Sequence, residues 1–389
     1  MLLAQWVDEL RHEIPNATLM LAGAGHTKWK SPSRLEGMTS PNEGFGGRVT
    51  LATMATAASD AFRMRVAQGE HLLLVADEVH QIGSLENSRI LGLNTGLRLG
   101  LSATPERYGD PDGTHRVLSY FEGIIPPPIT LMDAVRAGRL VPYEYFPHPV
   151  RLSAEEAETW REVSHEVTLE VAKQKTDSSG KKPLTERAKM LLIKRARIAK
   201  KAHAKVDLAR KILRENFNAG EHWLVYCEDA DQLGAVLVAL RADGLSPTEY
   251  HSSMTGDRDA TMAWFRTFGG ILVSIRCLDE GVDIPSVSHA LILASSQNPR
   301  QFIQRRGRVL RTAPGKTIAV VHDAIVVPIH VDDEPEQAAL LQSEMSRAIE
   351  FAHTAINKMA AAELRAIAAE LGLDTSALEF VGVEEEDNG

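Results

Sequence analysis

A chain of 389 residues with 44% hydrophobic and 24% charged positions is ordinary globular material, long enough for two core-bearing domains. Its formal net charge of -9 excludes a basic coat over the whole surface, though not a local basic groove. Two cysteines far apart in sequence, Cys227 and Cys277, exclude a CxxC zinc site and fit a reducing cytosol, and runs such as "ALILA" are too short to span a bilayer.

The N-terminal "MLLAQWVDELRHE" lacks a basic n-region and meets acidic residues early, so it does not read as a signal peptide. It reads as a helix with Leu3, Trp6, Val7 and Leu10 on one face. "ATLMLAG" (17–23), "RVTLATM" (48–54), "HLLLVAD" (71–77) and "TGLRLGLSA" (95–103) read as strands bounded by Gly, Asn and Asp. Strands alternating with helices predict a parallel sheet covered on both faces, over residues 1–130. Residues 131–215 read as a connector and a basic helical insert. "FEGIIPPPIT", just before it, cannot be a helix interior, and "LVPYEYFPHPVRLS" looks extended. "SAEEAETWREVSHEVTLEVAK" is helical, opened by a capping-box pattern at Ser153 and Glu156. "TERAKMLLIKRARIAKKAHAKVDLARKILREN" reads as one long basic helix. Its charge fits a solvated face as well as contact with a phosphate backbone.

Residues 216–329 return to alternation, with strands "HWLVYCE", "GGILVSI", "SHALILASS" and "TIAVVHD". Residues 330–389 form a helical, alanine-rich tail whose acidic "VEEEDNG" end is expected to be disordered.

Four short stretches carry chemistry. An apolar strand delivers Asp77 and Glu78 to its end, where one carboxylate can hold Mg²⁺ through water and the other can take a proton from water. Taken alone the pair is a weak signal, because many buried strands end in Asp or Glu at a turn. "LSATPER" (101–107) offers the hydroxyls of Ser102 and Thr104, which are also ordinary turn chemistry. "LDEGVDIP" (278–285) gathers Asp279, Glu280 and Asp283 around Gly281, and a plain acidic loop competes with a ligand site. "QRRGRVLR" (304–311) crowds Arg305, Arg306, Arg308 and Arg311; four guanidiniums repel, so an anion is the natural partner, with a solvated basic helix as the competing reading.

In this order the stretches resemble a superfamily 2 helicase or translocase. Asp77-Glu78-Val79-His80 is similar to its DExH box, "LSATPER" to motif III, "SIRCLDEGVDIP" to motif V and "QRRGRVLR" to motif VI. "LLAQWVDELR" resembles motif Ia, and "HWLVYCEDADQL" motif IV. The flavour is nearest to XPB-like repair helicases and type I/III restriction translocases, over roughly residues 2–325. The resemblance implies an α/β fold of two RecA-like parallel-sheet domains, the first truncated at its N-terminus, with a helical insert and a helical tail. It implies ATP and Mg²⁺ as cofactors, double-stranded DNA gripped by its backbone as partner, and a cytoplasmic protein with no membrane segment. Asp77 would organise the metal and Glu78 would polarise water. His80 and Gln304 would link the ATP site to the second domain, and Ser102 and Thr104 would couple hydrolysis to movement. Gly281 and Asp283 would face the nucleotide, and Arg308 and Arg311 would be arginine fingers. Thr53, Arg276, Lys194 and Arg197 would meet the nucleic-acid backbone.

One family feature is missing: no GxxxxGK[ST] loop precedes the acidic box. Gly315-Lys316-Thr317 fails as a substitute, because Leu310 stands where the first glycine belongs. The expectation is a fragment of a longer helicase, or a chain whose partner subunit supplies the loop. The competing reading is an ATP-dead helicase-like module that binds nucleic acid or a protein. A P-loop kinase explains the second α/β half poorly.

Overall fold

The computed structural model describes residues 2–41, 44, 46–103, 105–107, 110–173, 185–275, 284, 286–294, 307, 309–328 and 337–373. The chain divides into two compact units, the first ending at Ile129 and the second starting at Thr130.

In the first unit, helix α1 (Leu2–Glu13) buries Val7 and half-buries Leu3, Trp6 and Leu10, the face its spacing predicts. Strand β1 (Thr18–Ala22) pairs in parallel with β2 (Arg48–Ala52), and β3 (Gly69–Ala76) pairs in parallel with β4 (Thr95–Gly100). The four expected strands are present and parallel. Among the described residues they form two separate pairs rather than one sheet. Between them lie α2 (Arg34–Thr39), α3 (Met54–Ala58) and α4 (Asp60–Arg63), and α5 (Pro111–Tyr120) follows β4. Two small cores result: Ala22, Trp29, Leu35 and Phe62 in one, and Ala76, Val79, Ile82, Ile90, Leu93 and Val117 in the other. The sequence predicts two covered faces, but Leu73, Val75 and Leu97 stay 57%, 44% and 66% exposed. Alternation along a strand sends these side chains to the face opposite Ala76, and no described element covers it.

The second unit has a six-stranded parallel sheet in the order β5-β10-β9-β6-β8-β7. Its strands are β5 (Tyr143–Val150), β6 (His222–Cys227), β7 (Pro247–Tyr250), β8 (Gly270–Ile275), β9 (His289–Ile292) and β10 (Ala319–Val326). The extended part of the expected connector is therefore an edge strand of this sheet. Pro147 and Pro149 are tolerated because β5 pairs on one side only. The backbone N–H of Tyr145, in the same alternation as both prolines, points outward to Asn357 Oδ1 at 3.0 Å. Asn357 returns its amide to the Tyr145 carbonyl at 2.8 Å, so a side chain stands in for the next strand and blunts the edge.

After the short α6 (Leu131–Arg136), α7 (Ala154–Ala172) starts with the capping box read from Ser153 and Glu156. The expected single basic helix is two helices, α8 (Glu186–Lys200) and α9 (Ala204–Asn216), broken at Lys201–His203. The break has a packing cause. Ala199 of α8 packs with Trp160 of α7, whereas Val206, Ala209, Ile212 and Leu213 of α9 enter the core on the sheet with Trp223, Val225 and Leu291. Helices α10 (Ala230–Ala242) and α11 (Arg258–Phe268) are N-capped by Asp229 and Asp257. The tail supplies α12 (Ala338–Thr354) and α13 (Met359–Glu370). Phe351 of α12 stacks on Tyr145 at 5.1 Å, so these helices complete the second unit. The acidic end, 374–389, lies outside the described residues.

Candidate functional site

Strand β3 ends at Ala76, and its core contacts stop there. Asp77 and Glu78 follow as the chain turns. Glu78 takes φ 48°, ψ 48°, the left-handed region that a residue with a Cβ enters only under constraint. The constraint is visible on both sides. Leu101 N–H donates to the Ala76 carbonyl at 2.8 Å, and Val79 N–H donates to the Leu101 carbonyl at 2.9 Å. Val79, Ile82 and Ile90 are buried beyond the turn and pull it into the core.

The turn sets three side chains. Asp77 Oδ1 accepts the Glu78 N–H at 2.9 Å, and Oδ2 accepts the indole N–H of Trp6 at 3.1 Å. His80 is 3% exposed, and its Nδ1 lies 3.2 Å from Ser102 Oγ and 3.4 Å from Glu78 Oε2. An ionised carboxylate only accepts, so a proton on Nδ1 serves the Glu78 contact. The structure thus brings Asp77, Glu78, His80 and Ser102 together. Thr104 lies outside the described residues. Thr53 caps α3, and its hydroxyl donates to Thr56 Oγ1 at 2.9 Å.

Gln304, Arg308, Gly281, Asp283 and Arg276 lie outside the described residues. Arg311 is described. Its backbone bridges to Leu140, and Val141 N–H donates to the Leu310 carbonyl at 2.8 Å. Lys316, the lysine of the GKT triplet, donates to the carbonyls of Val309 and Arg311 at 2.6 and 2.8 Å. Burial pushes its ammonium down to about 8. It therefore caps the end of the arginine segment, a role the sequence did not suggest.

The basic helix α8 is largely answered by acids. Lys200 lies 3.4 Å and Arg197 3.9 Å from Glu228, and Lys201 meets Asp229 at 2.7 Å and Asp231 at 2.9 Å. Arg195 sits over the Trp160 ring at 5.3 Å. Lys194 is exposed and makes no ion pair among the described residues. It lines an open cleft of about 1400 Å³ together with Glu155, Glu166 and Arg197. Charges of both signs there explain why α8 is less basic in the fold than in the sequence.

Residues 1–107 match the type III restriction enzyme res subunit family, and residues 204–313 match the helicase conserved C-terminal domain. The chain belongs to the superfamily 2 helicases, of the XPB and restriction-enzyme type. This superfamily 2 chain is 32% identical over 268 residues to Rad25 of Haloarcula marismortui, named as a DNA 3'-5' helicase, covering 68% of the chain and 37% of that relative. It is 26% identical over 285 residues to the DNA 3'-5' translocase XPB2 of Sulfurisphaera tokodaii, covering 68% of the chain and 62% of that relative. The chain thus spans less than two thirds of the length of either relative. Its fold is similar to the Hef helicase domain of Pyrococcus furiosus, with TM-score 0.51 and 15% identity over 87% of this chain and 86% of that one. The α/β architecture is accordingly RecA-like.

Sequence reasoning missed two residues at the acidic box, Trp6 and Arg107. Trp6 looked like one more apolar position on α1. Arg107 stood in the quoted "LSATPER" without a role. Neither contact has a signal in spacing, because both partners lie far away in the chain.

Proposed function

We propose that this chain carries the motor chemistry of an ATP-dependent DNA helicase or translocase, in which ATP hydrolysis drives movement on DNA. The observation that carries this reading is the Asp77–His80 turn. A left-handed Glu78 holds its carboxylate against a buried His80 that also meets Ser102. The residues fit Mg²⁺. Each Asp77 oxygen accepts one N–H and keeps acceptor capacity, and a hard cation that retains waters needs only one such carboxylate. When bound, the ion would neutralise phosphate charge.

The chain's own residues do the rest. Asp77 would hold the ion. Glu78, its carboxylate held against His80, takes a proton from an attacking water. Ser102 and Thr104 with His80 couple this turn to the strand end after β4. Gly281 and Asp283 bind nucleotide, Arg308 and Arg311 supply transition-state charge, and Gln304 communicates between the sites. Thr53, Arg276, Lys194 and Arg197 contact the phosphate backbone of double-stranded DNA, and no base readout is needed. The names of the two relatives support DNA as the track. A cytoplasmic setting, where ATP is available, belongs to the same reading; no described helix is long and apolar enough to cross a membrane.

The phosphate loop comes from a preceding segment or a partner subunit. In support, β4 pairs only with β3 among the described residues, and Leu97 beside that edge is 66% exposed. A second reading is an ATP-dead module that binds nucleic acid. The Lys316 contacts favour it, since the one GKT lysine holds backbone carbonyls instead of phosphate.

The test is ATP hydrolysis by the purified chain, with and without DNA. DNA-stimulated turnover abolished by Glu78→Gln supports the motor. No turnover, with DNA binding that weakens steeply with salt, supports the second reading. Neither turnover nor DNA binding sinks both.

A further inference from the structure

One side chain outside the acidic box reaches back into it. Arg107 Nη1 donates to the His80 carbonyl at 2.6 Å, and its Nε donates to Asp110 Oδ2 at 2.7 Å. The Arg107 backbone is itself fixed, its N–H donating to Thr114 Oγ1 at 2.8 Å. Asp110 caps α5 through the Gly113 N–H at 2.8 Å, and the guanidinium beside it holds its carboxyl below the usual carboxylate range. The side chain is thus tied at both ends, one end on a helix cap and the other on the turn of the acidic box.

The fold makes room for this clamp. A Cβ on Gly83 would collide with Arg107 Cδ and lie 2.6 Å from the Gly113 carbonyl oxygen. A Cβ on Gly113 would collide with Asp110 and lie 2.6 Å from Arg107 Nε. Neither glycine has a positive φ, so space and not backbone conformation calls for glycine here. Arg116 donates to the Gly83 carbonyl and closes the far end of the same 3-10 turn, Val79–Gly83.

Holding the carbonyl of residue 80 fixes the peptide plane after it, and with it the direction in which the His80 ring leaves the chain. We propose that Arg107 is the positioning residue of the Asp77–His80 box: its grip on the His80 carbonyl aims the imidazole at Glu78 and Ser102. The inference rests on the reading of this box as an ATP site. It adds a reason for the arginine of "LSATPER" that charge alone does not give. The guanidinium acts through His80.

The experiment uses the full chain labelled with ¹⁵N-histidine, the His80 ring signals being identified by their loss in His80→Gln. Arg107→Ala is expected to shift these signals, and Arg107→Lys to restore them in part, since a lysine can reach the carbonyl but cannot also fork to Asp110. Arg98→Ala is the control. Arg98 binds the Tyr120 carbonyl at 3.2 Å and packs on its ring in the same unit, so its loss lowers stability without touching the box. Unchanged His80 signals in Arg107→Ala, or an equal shift in Arg98→Ala, overturn the proposal. If Arg107→Ala fails to fold, Gly113→Ala displaces the guanidinium without removing it, and the same two outcomes apply. Under conditions where the chain turns over ATP, Arg107→Ala should lower kcat by about tenfold to a hundredfold with KM changed less than about twofold. Turnover unaffected by Glu78→Gln would fell the ATP-site reading, while the His80 signals would still report on the clamp.

Discussion

The second unit pairs six strands side by side and covers them with helices from the middle and the end of the chain, whereas the first unit divides four strands into two pairs. The difference extends to the backbone and the interior. All four non-glycine residues with positive φ, Ala24, Ser33, Glu78 and Glu122, fall in the first unit among the described residues. The second unit instead buries charge. Asp323 of β10 is fully buried, accepts the Tyr145 hydroxyl at 2.9 Å and pairs with Arg347 of α12, which also meets Glu344 at 3.0 Å. Burial pushes the Asp323 carboxyl up, and the guanidinium beside it works the other way. Lys205, also buried and pushed down to about 8 by desolvation, donates to the Leu293 carbonyl at 2.6 Å. One unit is a closed, cross-braced scaffold; the other holds a strained turn on an open sheet.

The sharpest way to break this contrast is Arg347→Ala. It leaves Asp323 buried without its cation and should cost the second unit about 3–5 kcal/mol. Amide exchange read separately over β10 and over β3 checks it: protection should fall in the first and hold in the second. Loss in both would mean that the two units do not unfold independently.

Acid should also separate them. His322 is held down to about 3 by burial and by the neighbouring His148 and His289, and His148 to about 4 by burial and by Lys211. Their unfolded forms take protons near pH 6.5 while the folded ones stay neutral. The contribution of these two histidines to the second unit's stability is therefore flat above about pH 6.5 and is lost as pH drops from there through about 4 toward about 3, by several kcal/mol in total at about 1.4 kcal/mol for each pH unit by which a histidine is held down. His322→Phe keeps a ring in the stack with Phe146 and Trp223 and should flatten that slope in urea unfolding. An equally steep slope in the variant would remove the histidines as its cause.

In the first unit, Glu78→Gly should release the left-handed strain. The chain should gain up to about 1 kcal/mol in unfolding free energy while losing any ATP turnover, a trade expected where a functional residue holds an unfavourable φ. The smallest effect belongs to Leu97→Glu on the open face. Stability should change by less than about 0.5 kcal/mol, and self-association seen by light scattering should decrease. A large loss would show that the face is covered in solution.

The strand–helix rhythm of both halves was legible because burial writes its period into the chain. The capping box at Ser153 was legible because both members lie within four residues of each other. The acidic turn was legible in the same way: Asp77, Glu78 and His80 occupy one short stretch, and Ser102 lies just beyond the end of the strand paired with it. The break between α8 and α9 was not, since helix propensity runs unbroken through Lys201–His203 and only the two different packing partners separate them. The clamp of Arg107 on His80 was hidden for the same reason.

The order and identity of the motifs, and with them the family, follow from the sequence by itself, because they depend on residue types at local spacings. The tertiary structure alone decided which groups act together. It placed Asn357 as the mate of edge strand β5, neutralised the basic face of α8 with Glu228, Asp229 and Asp231, and turned the GKT lysine onto carbonyls. The physical reason is range: propensity and periodicity act over a few residues, while burial and charge pairing act between any residues the fold brings together.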